Sequence, residues 1–208
     1  MLFCFFLIFI ISYEALCLEL PPSFIGDFAK HHKLYEIDLY LSNTTSLNWQ
    51  TNTLRILSKS FLPSLHHDQW QIKDNLQSVV FHDKSLVVYI LDDNGIEESV
   101  NNLIALLSTR SRLNKEYWLL DVTSFAQTEK AISVLNLPLD LDDEFYLFSQ
   151  EKSGRFINIW EFYKVQPYLP KKFLYYGNWS IESGLECSNV DKWTRRKNLQ
   201  VDTKCINN

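Results

Sequence analysis

The sequence lacks the local signatures that most enzyme classes require. It has five glycines, and they form neither a phosphate-binding glycine-rich loop nor the Gly-x-Ser-x-Gly turn that carries a catalytic serine. No Cys-x-x-Cys pair and no His-x-x-x-His spacing occurs, so the usual redox and zinc motifs are missing as well. We therefore expect a domain that is not an enzyme and has no cofactor.

The sequence also lacks a large excess of one charge and, beyond its N-terminus, a long hydrophobic run. The net charge is -5, with both signs spread along the chain, and this excludes the basic surface that nucleic-acid binding requires. Beyond residue 17 no stretch reaches the roughly 18 consecutive apolar residues that a membrane-spanning helix needs. The chain does contain 46% hydrophobic and 14% aromatic residues, enough to bury a substantial core.

The N-terminal run from Met1 to Ile11 is strongly apolar but too short to span a bilayer. It precedes small residues at Ala15 and Cys17 in the spacing of a cleavage site, which predicts a signal peptide over residues 1–17. The basic segment that usually begins such peptides is missing. A buried N-terminal strand is the alternative, because Phe and Ile favour strands.

Removal of a signal peptide would leave Cys187 and Cys205 as the remaining cysteines. An even number of cysteines in an oxidising compartment allows a disulfide between them, although counting alone does not establish it. Two glycosylation acceptors, at Asn43 and Asn178, agree with the same secretory route.

Strands and helices alternate along the body of the chain, residues 18–200. A segment with Pro21, Pro22 and Gly26 is interpreted as a loop before the first strand. Strands are predicted at 34–41, 69–73, 86–91, 117–122, 144–148 and 156–165, and helices from Thr51 to Pro63, from Ile96 to Leu107 and from Thr128 to Leu137.

This order predicts an α/β fold with three layers, in which a mainly parallel sheet has helices on both faces, as in one half of a periplasmic binding protein. The short link at 150–155 predicts a hairpin, and hence antiparallel strands at the C-terminal edge. The predicted core residues are Ile37, Leu39, Leu57, Val88, Ile90, Val100, Leu103, Leu119, Val122, Ile132 and Leu135.

The polar clusters favour structural roles over chemical ones. The histidines at 31–32, 66–67 and 82 lack metal-ligand spacing and are interpreted as solvated loop residues, so no metal is predicted. Asp92, Asp93 and Asn94 follow a buried strand, where a turn and helix cap explains them better than nucleotide binding. The six tryptophans could line a ligand pocket, but at strand positions we expect most of them in the core.

Four segments near the C-terminus share a pattern with a receptor family. They are residues 159–165, 177–179, 184–185 and 193–200. In composition and spacing they resemble the insect chemosensory ionotropic receptors, divergent relatives of ionotropic glutamate receptors, where the amino-terminal region joins the ligand-binding domain. The matching residues are Trp160, Glu161, Tyr163, Gly177, Trp179, Gly184, Leu185, Trp193, Arg195, Arg196, Leu199 and Gln200.

The resemblance implies the amino-terminal extracellular region of a ligand-gated cation channel, serving assembly or ligand detection. Its partners would be co-receptor subunits of a hetero-oligomeric channel, with a small-molecule ligand also open. The full receptor would lie at the plasma membrane with this region outside the cell, whereas a truncated form would be secreted or retained.

Residues 201–208 depart from the family pattern. The ligand-binding arginine and the membrane spans of the family would lie beyond Asn208, so no ligand-binding residue is carried over to this chain. Trp193, Arg195 and Arg196 are interpreted as a tether into a following domain, with no packing role visible in the sequence.

Two alternatives stay open. Composition alone permits a strand pair followed by the start of a basic helix in the same segment. A free-standing secreted protein that binds small molecules could have the same fold and signal peptide.

Overall fold

The structure is a computed structural model that describes residues 20–34, 36–41, 45–60, 64–68, 84–91, 96–109, 116–122, 137, 139, 141–151, 154–165 and 171–196. The helices in these ranges are α1 (Pro22–His32), α2 (Leu47–Ser60), α3 (Ile96–Thr109) and α4 (Lys192–Arg195). The strands are β1 (Glu36–Leu41), β2 (Ser64–Asp68), β3 (Ser85–Ile90), β4 (Glu116–Asp121), β5 (Glu144–Gln150), β6 (Phe156–Tyr163), β7 (Lys172–Ser180) and β8 (Gly184–Cys187).

All eight strands form one mixed sheet in the order β2-β1-β3-β4-β5-β6-β7-β8. The pairings from β2 to β5 are parallel, and β6, β7 and β8 are added in antiparallel pairings. The predicted α/β class and the antiparallel C-terminal edge are therefore confirmed.

Two clusters of buried side chains pack against the sheet. The first core consists of Leu20, Phe24, Ile25, Phe28, Ala29, Leu34, Ile37, Leu39, Leu41, Trp49, Leu57, Leu86, Val88, Leu119, Tyr146, Phe148, Ile157, Ile159, Tyr176 and Trp179. The second core consists of Tyr40, Val87, Tyr89, Leu91, Leu103, Leu106, Leu107, Trp118, Leu120, Val122, Leu137, Leu139, Phe145, Leu147 and Phe162. Successive residues of a strand enter different cores, because side chains alternate across a sheet.

Helix α1 corrects the prediction of a loop around Pro21 and Pro22. Proline is favoured at the first position of a helix, where its missing N–H would have no partner, and Pro22 occupies that position. Phe24 and Phe28 lie four residues apart and are fully buried, so the segment gains a hydrophobic face. Lys33 ends the helix in the left-handed conformation, with φ of 56°.

Several other elements follow the predictions with shifts at their ends. Helix α3 begins at the predicted residue, and β4, β5 and β6 overlap the predicted strands. Strand β2 contains His66 and His67, so the interpretation of these two histidines as loop residues is wrong. The predicted strand at 69–73 and most of the predicted helix at 128–137 lie outside the described residues. The strand pair and basic helix of the C-terminal alternative are present as β7, β8 and α4.

Most of the predicted core residues that the structure describes are buried. Seven of them are in the two cores: Ile37, Leu39, Leu57, Val88, Leu103, Leu119 and Val122. Ile90 and Val100 are partly buried against the cores, and Ile132 and Leu135 lie outside the described part of the chain.

We expect Phe24→Ala to destabilise the protein by about 3–5 kcal/mol, because it leaves a cavity between α1 and the sheet. The Phe24 ring lies 5.2 Å from that of Phe148 and 5.9 Å from that of Trp179, centroid to centroid. Urea unfolding at equilibrium measures the change. The matched control is Leu47→Ala in α2, where the side chain is 75% exposed, and an equal loss in both variants would contradict the packing role of α1.

Candidate functional site

A buried carboxylate joins the C-terminal helix to the sheet. Glu161 lies in β6 and is fully buried, and each of its oxygens accepts a hydrogen bond from a different arginine. Arg196 donates from Nε to Oε1 at 2.8 Å, and Arg195 donates from Nε to Oε2 at 3.0 Å. Charge-assisted bonds of this kind compensate part of the cost of removing the charges from water.

Helix α4 places these two arginines next to each other. Asp191 caps the helix by accepting a hydrogen bond from the Thr194 backbone N–H at 3.0 Å. At the other end the Arg196 N–H bonds the Lys192 carbonyl at 2.8 Å. A single capped turn therefore fixes the backbone from which both guanidinium groups reach Glu161.

Arg196 belongs to the packed interior. Its side chain is 1% exposed, it donates to the carbonyls of Leu141 and Asp143 just before β5, and it lies 4.7 Å from the centre of the Tyr163 ring. The sequence showed no packing role for this basic segment, and the structure gives Arg196 one. We call Glu161, Tyr163, Arg195 and Arg196 the arginine clamp.

A pocket of about 460 Å³ lies beside the clamp, and we call it the histidine pocket. Its wall is formed by the last turn of α1 and by aromatic side chains of β4, β5 and β7. The residues that line it are His31, His32, Tyr117, Glu144, Tyr146, Tyr176, Ser188, Asn189, Val190, Lys192 and Arg195.

Tyr176 is the polar centre of this pocket. Its hydroxyl lies 3.3 Å from Nε2 of His31 and 3.3 Å from Nε2 of His32, and Arg195 of the clamp lies 5.0 Å from its ring centre. His32 is also enclosed by aromatic rings, with centroid distances of 4.5 Å to Phe28 and 4.8 Å to Tyr117.

The imidazole and phenol groups of the pocket are held in their neutral forms. Burial, together with smaller contributions from His31 and Arg195, lowers the pKa of His32 to about 3. Burial also raises the pKa of Tyr117 to about 12 and the pKa of Tyr176 above its usual value. At neutral pH the pocket therefore offers hydroxyl and neutral imidazole groups.

An ion pair borders the pocket. Lys192 Nζ lies 2.8 Å from Glu144 Oε1 and donates to the Asp142 carbonyl at 2.6 Å. The hydroxyl of Tyr146 donates to Glu144 at 2.8 Å. The Lys192–Glu144 ion pair, which is partly exposed, is thus a second contact that holds α4 to the sheet, here at the start of β5.

Cys187 at the end of β8 reaches the same cluster, since its sulfur lies 3.3 Å from His31 Nε2. Burial raises the pKa of this thiol, against the opposing effects of Tyr176 and Arg195, so the thiol is protonated at neutral pH and is not an activated nucleophile. Cys187 is free and Cys205 lies outside the described residues, so their disulfide stays a prediction.

His31 and His32 lie in the last turn of α1, so their interpretation as loop residues is also wrong. In the described part of the chain, no three His, Cys, Asp or Glu side chains are arranged to hold a metal ion. His82 and the polar residues at 92–94 lie outside that part.

The other receptor-like residues have separate structural roles. Gly177 lies where β7 meets β8, and a Cβ there would contact the Glu186 carbonyl and lie 2.7 Å from the Cα of Cys187. Gly184 begins β8, directly after the turn from β7, with φ of 72°. Trp179 donates from Nε1 to Asp27 of α1 at 2.9 Å, and Leu185 packs against the first core.

Two tryptophans of the receptor-like segments are not members of the arginine clamp. Trp160 is half-buried, and Trp193 is 52% exposed. Leu199 and Gln200 lie beyond the described residues. Of the remaining tryptophans, Trp49 and Trp118 are buried in the two cores as predicted, and Trp70 is outside the described part.

The histidine pocket was not predicted from the sequence. The two histidines are about 145 residues away from Tyr176 along the chain, and a pair of adjacent histidines without ligand spacing carries no local signal. Asn178, one of the two predicted glycosylation sites, is half-buried on β7, and Asn43 lies outside the described residues.

Neither a protein-family model nor a curated protein sequence matches this chain. Within the described ranges, no helix combines the length and the apolar character needed to cross a membrane.

We expect Arg196→Met to destabilise the protein by about 3–5 kcal/mol, because it leaves the Glu161 carboxylate with one arginine fewer in a buried position. The matched control is Lys192→Met on the same helix, whose partly exposed ion pair is worth about 1 kcal/mol or less. Equilibrium unfolding of both variants gives the comparison. Equal losses would show that Glu161 gains nothing from being buried with Arg196.

We expect the free energy of unfolding to fall as the pH drops below 6.5, the ordinary pKa of histidine. In the window from pH 6.5 to about 3 the unfolded chain takes up a proton at His32 that the folded protein does not. The slope from this group is at most ~1.4 kcal/mol per pH unit.

His32→Phe keeps a ring in the pocket and removes the titration, so its stability should depend less on pH over this window. His31→Gln is the control, because His31 is exposed and should contribute less. The same pH slope in the wild type and in His32→Phe would contradict the assignment to His32.

Proposed function

We propose that this chain is the amino-terminal extracellular domain of a ligand-gated cation channel of the chemosensory ionotropic receptor type, serving assembly or ligand detection. The observation that carries the proposal is the arginine clamp. Its four members all belong to the receptor-like segments, although Glu161 and Arg196 are 35 residues apart. Their meeting in one buried network supports a common role for those segments.

The energetics of the arginine clamp favour a role in selecting one conformation of the chain. Burying an ion pair costs desolvation that its attraction barely compensates, and apolar residues of similar size often give equal stability. A buried pair does, however, select one arrangement, because any other arrangement leaves a charge without a partner in the interior. The arginine clamp is therefore suited to fixing the position of the backbone at Arg196.

This fixed position gives the tether a physical basis. The chain passes Arg196 beside the start of β5, where Arg196 donates to the carbonyls of Leu141 and Asp143. A domain that follows would then be held in a defined orientation, as coupling between receptor domains requires. The tether role of Trp193, Arg195 and Arg196 is thus proposed together with their packing role.

We also propose the finer architecture, three layers with helices on both faces, as in one half of a periplasmic binding protein. Its support is that side chains of α1 and α2 enter the first core, whereas side chains of α3 enter the second. The strand order β2-β1-β3-β4-β5 is that of a doubly wound sheet. The proposal includes the secretory route, glycans at Asn43 and Asn178, and co-receptor subunits as partners.

A free-standing secreted protein that binds a small molecule is the second candidate. The histidine pocket favours it, because its size and its mixture of aromatic and hydroxyl groups are those of a ligand site. Both candidates share one fold and one secretory route. They differ in whether the clamp has a following domain to orient.

We expect transcripts from chemosensory tissue to continue in frame beyond codon 208 into a ligand-binding domain and three membrane spans. In the extended protein, Arg196→Met should lower the amount of receptor at the cell surface more than Lys192→Met does, since only the former breaks the clamp. Long-read sequencing and surface labelling of expressing cells provide the two measurements. Transcripts that all end after Asn208, together with ligand binding by the purified domain, would favour the second candidate.

A further inference from the structure

An aromatic surface surrounds the predicted glycosylation site on β7. Tyr175 is 52% exposed, and its ring makes an edge-to-face contact with Trp160 of β6 at a centroid distance of 6.2 Å. The side chain of Asn178 lies on this surface, while the next residue, Trp179, enters the first core. We call Trp160, Tyr175 and Asn178 the aromatic patch.

The acceptor atom lies against this patch. Nδ2 of Asn178, the atom to which an N-linked glycan is joined, donates a hydrogen bond to the Tyr175 hydroxyl at 3.3 Å. A sugar attached there begins beside the hydroxyl end of the Tyr175 side chain. On a regular strand, two residues three apart point to opposite faces of the sheet. Tyr175 and Asn178 meet because the register between β6 and β7 shifts between these two positions of β7.

Space and polar groups are available next to the acceptor. A pocket of about 520 Å³ has Tyr175 and Asn178 in its wall, together with Glu186, Ser188 and Asn189. A pyranose ring has an apolar face of C–H groups and a rim of hydroxyls. The exposed ring of Tyr175 suits the face, and the side chains of the pocket suit the rim.

We propose that an N-glycan at Asn178 folds back onto the protein, so that its first N-acetylglucosamine packs on the ring of Tyr175 and covers the aromatic patch. The proposal rests on the secretory route of the proposed function. It assigns the exposed aromatic surface to a covalently attached sugar, which buries apolar area without a partner protein.

The test uses protein secreted from cells that attach high-mannose glycans, in an Asn43→Gln background so that Asn178 is the only acceptor studied. Mass spectrometry after glycosidase release measures its occupancy. Thermal unfolding is then compared for the full glycan, for the form trimmed to one N-acetylglucosamine and for the form with no sugar. We expect the first two to share one Tm and the third to unfold roughly 2–4 °C lower, the shift expected for one aromatic contact.

Substitutions at Tyr175 separate the sugar contact from other effects of sugar removal. Complete enzymatic release converts Asn178 to Asp, and Glu186 is its neighbour on β8, so part of the shift could come from charge. In Tyr175→Thr the shift caused by the sugar should disappear, and in Tyr175→Phe, which retains the ring, it should persist. A shift of the same size in Tyr175→Thr would overturn the proposal.

The occupancy data distinguish failure of this proposal from failure of the proposed function. An unmodified Asn178 in a secreted wild-type chain that carries a glycan at Asn43 would overturn the sugar contact and leave the secretory route in place. A wild-type chain that is neither secreted nor modified would overturn both.

Discussion

The buried carboxylate of Glu161 is the constraint on which much of the C-terminal half depends. A charge in the middle of β6 is tolerated only with cations beside it, and the two arginines that supply them are the last residue of the short helix α4 and its C-cap residue. The helix must therefore dock on the sheet. That docking brings Arg195 over Tyr176 and Lys192 to Glu144, so one wall of the histidine pocket follows from the same requirement.

The opposite wall depends on α1. Phe24 and Phe28 hold this helix on the first core, and Trp179 of β7, which lies in the same core, donates a hydrogen bond to Asp27. Its last turn then carries His31 and His32 to Tyr176, where burial keeps the imidazole of His32 neutral. The pocket is thus formed between two helices that contact the same strand, β7, from different ends of the chain.

Local patterns allowed correct predictions wherever the pattern itself was strong. The apolar run of β3 and the amphipathic spacing of α3 were assigned correctly, because burial on both faces and on one face leave different periodicities. The same reasoning missed α1. Two prolines and a glycine indicated a loop, yet Pro22 begins the helix and the docked aromatic face outweighs the cost of Gly26.

The sequence by itself determined the α/β class, the antiparallel edge and most of the core, because these depend on periodicities of two and 3.6 residues that are visible within short windows. Only the tertiary structure decided the chemical setting of the polar groups. His32 is an ordinary histidine in the sequence, and Arg196 belongs to a basic segment; their burial comes from residues such as Tyr117 and Glu161 that lie far away in the chain. Desolvation and charge pairing depend on distance in space, which no local pattern encodes.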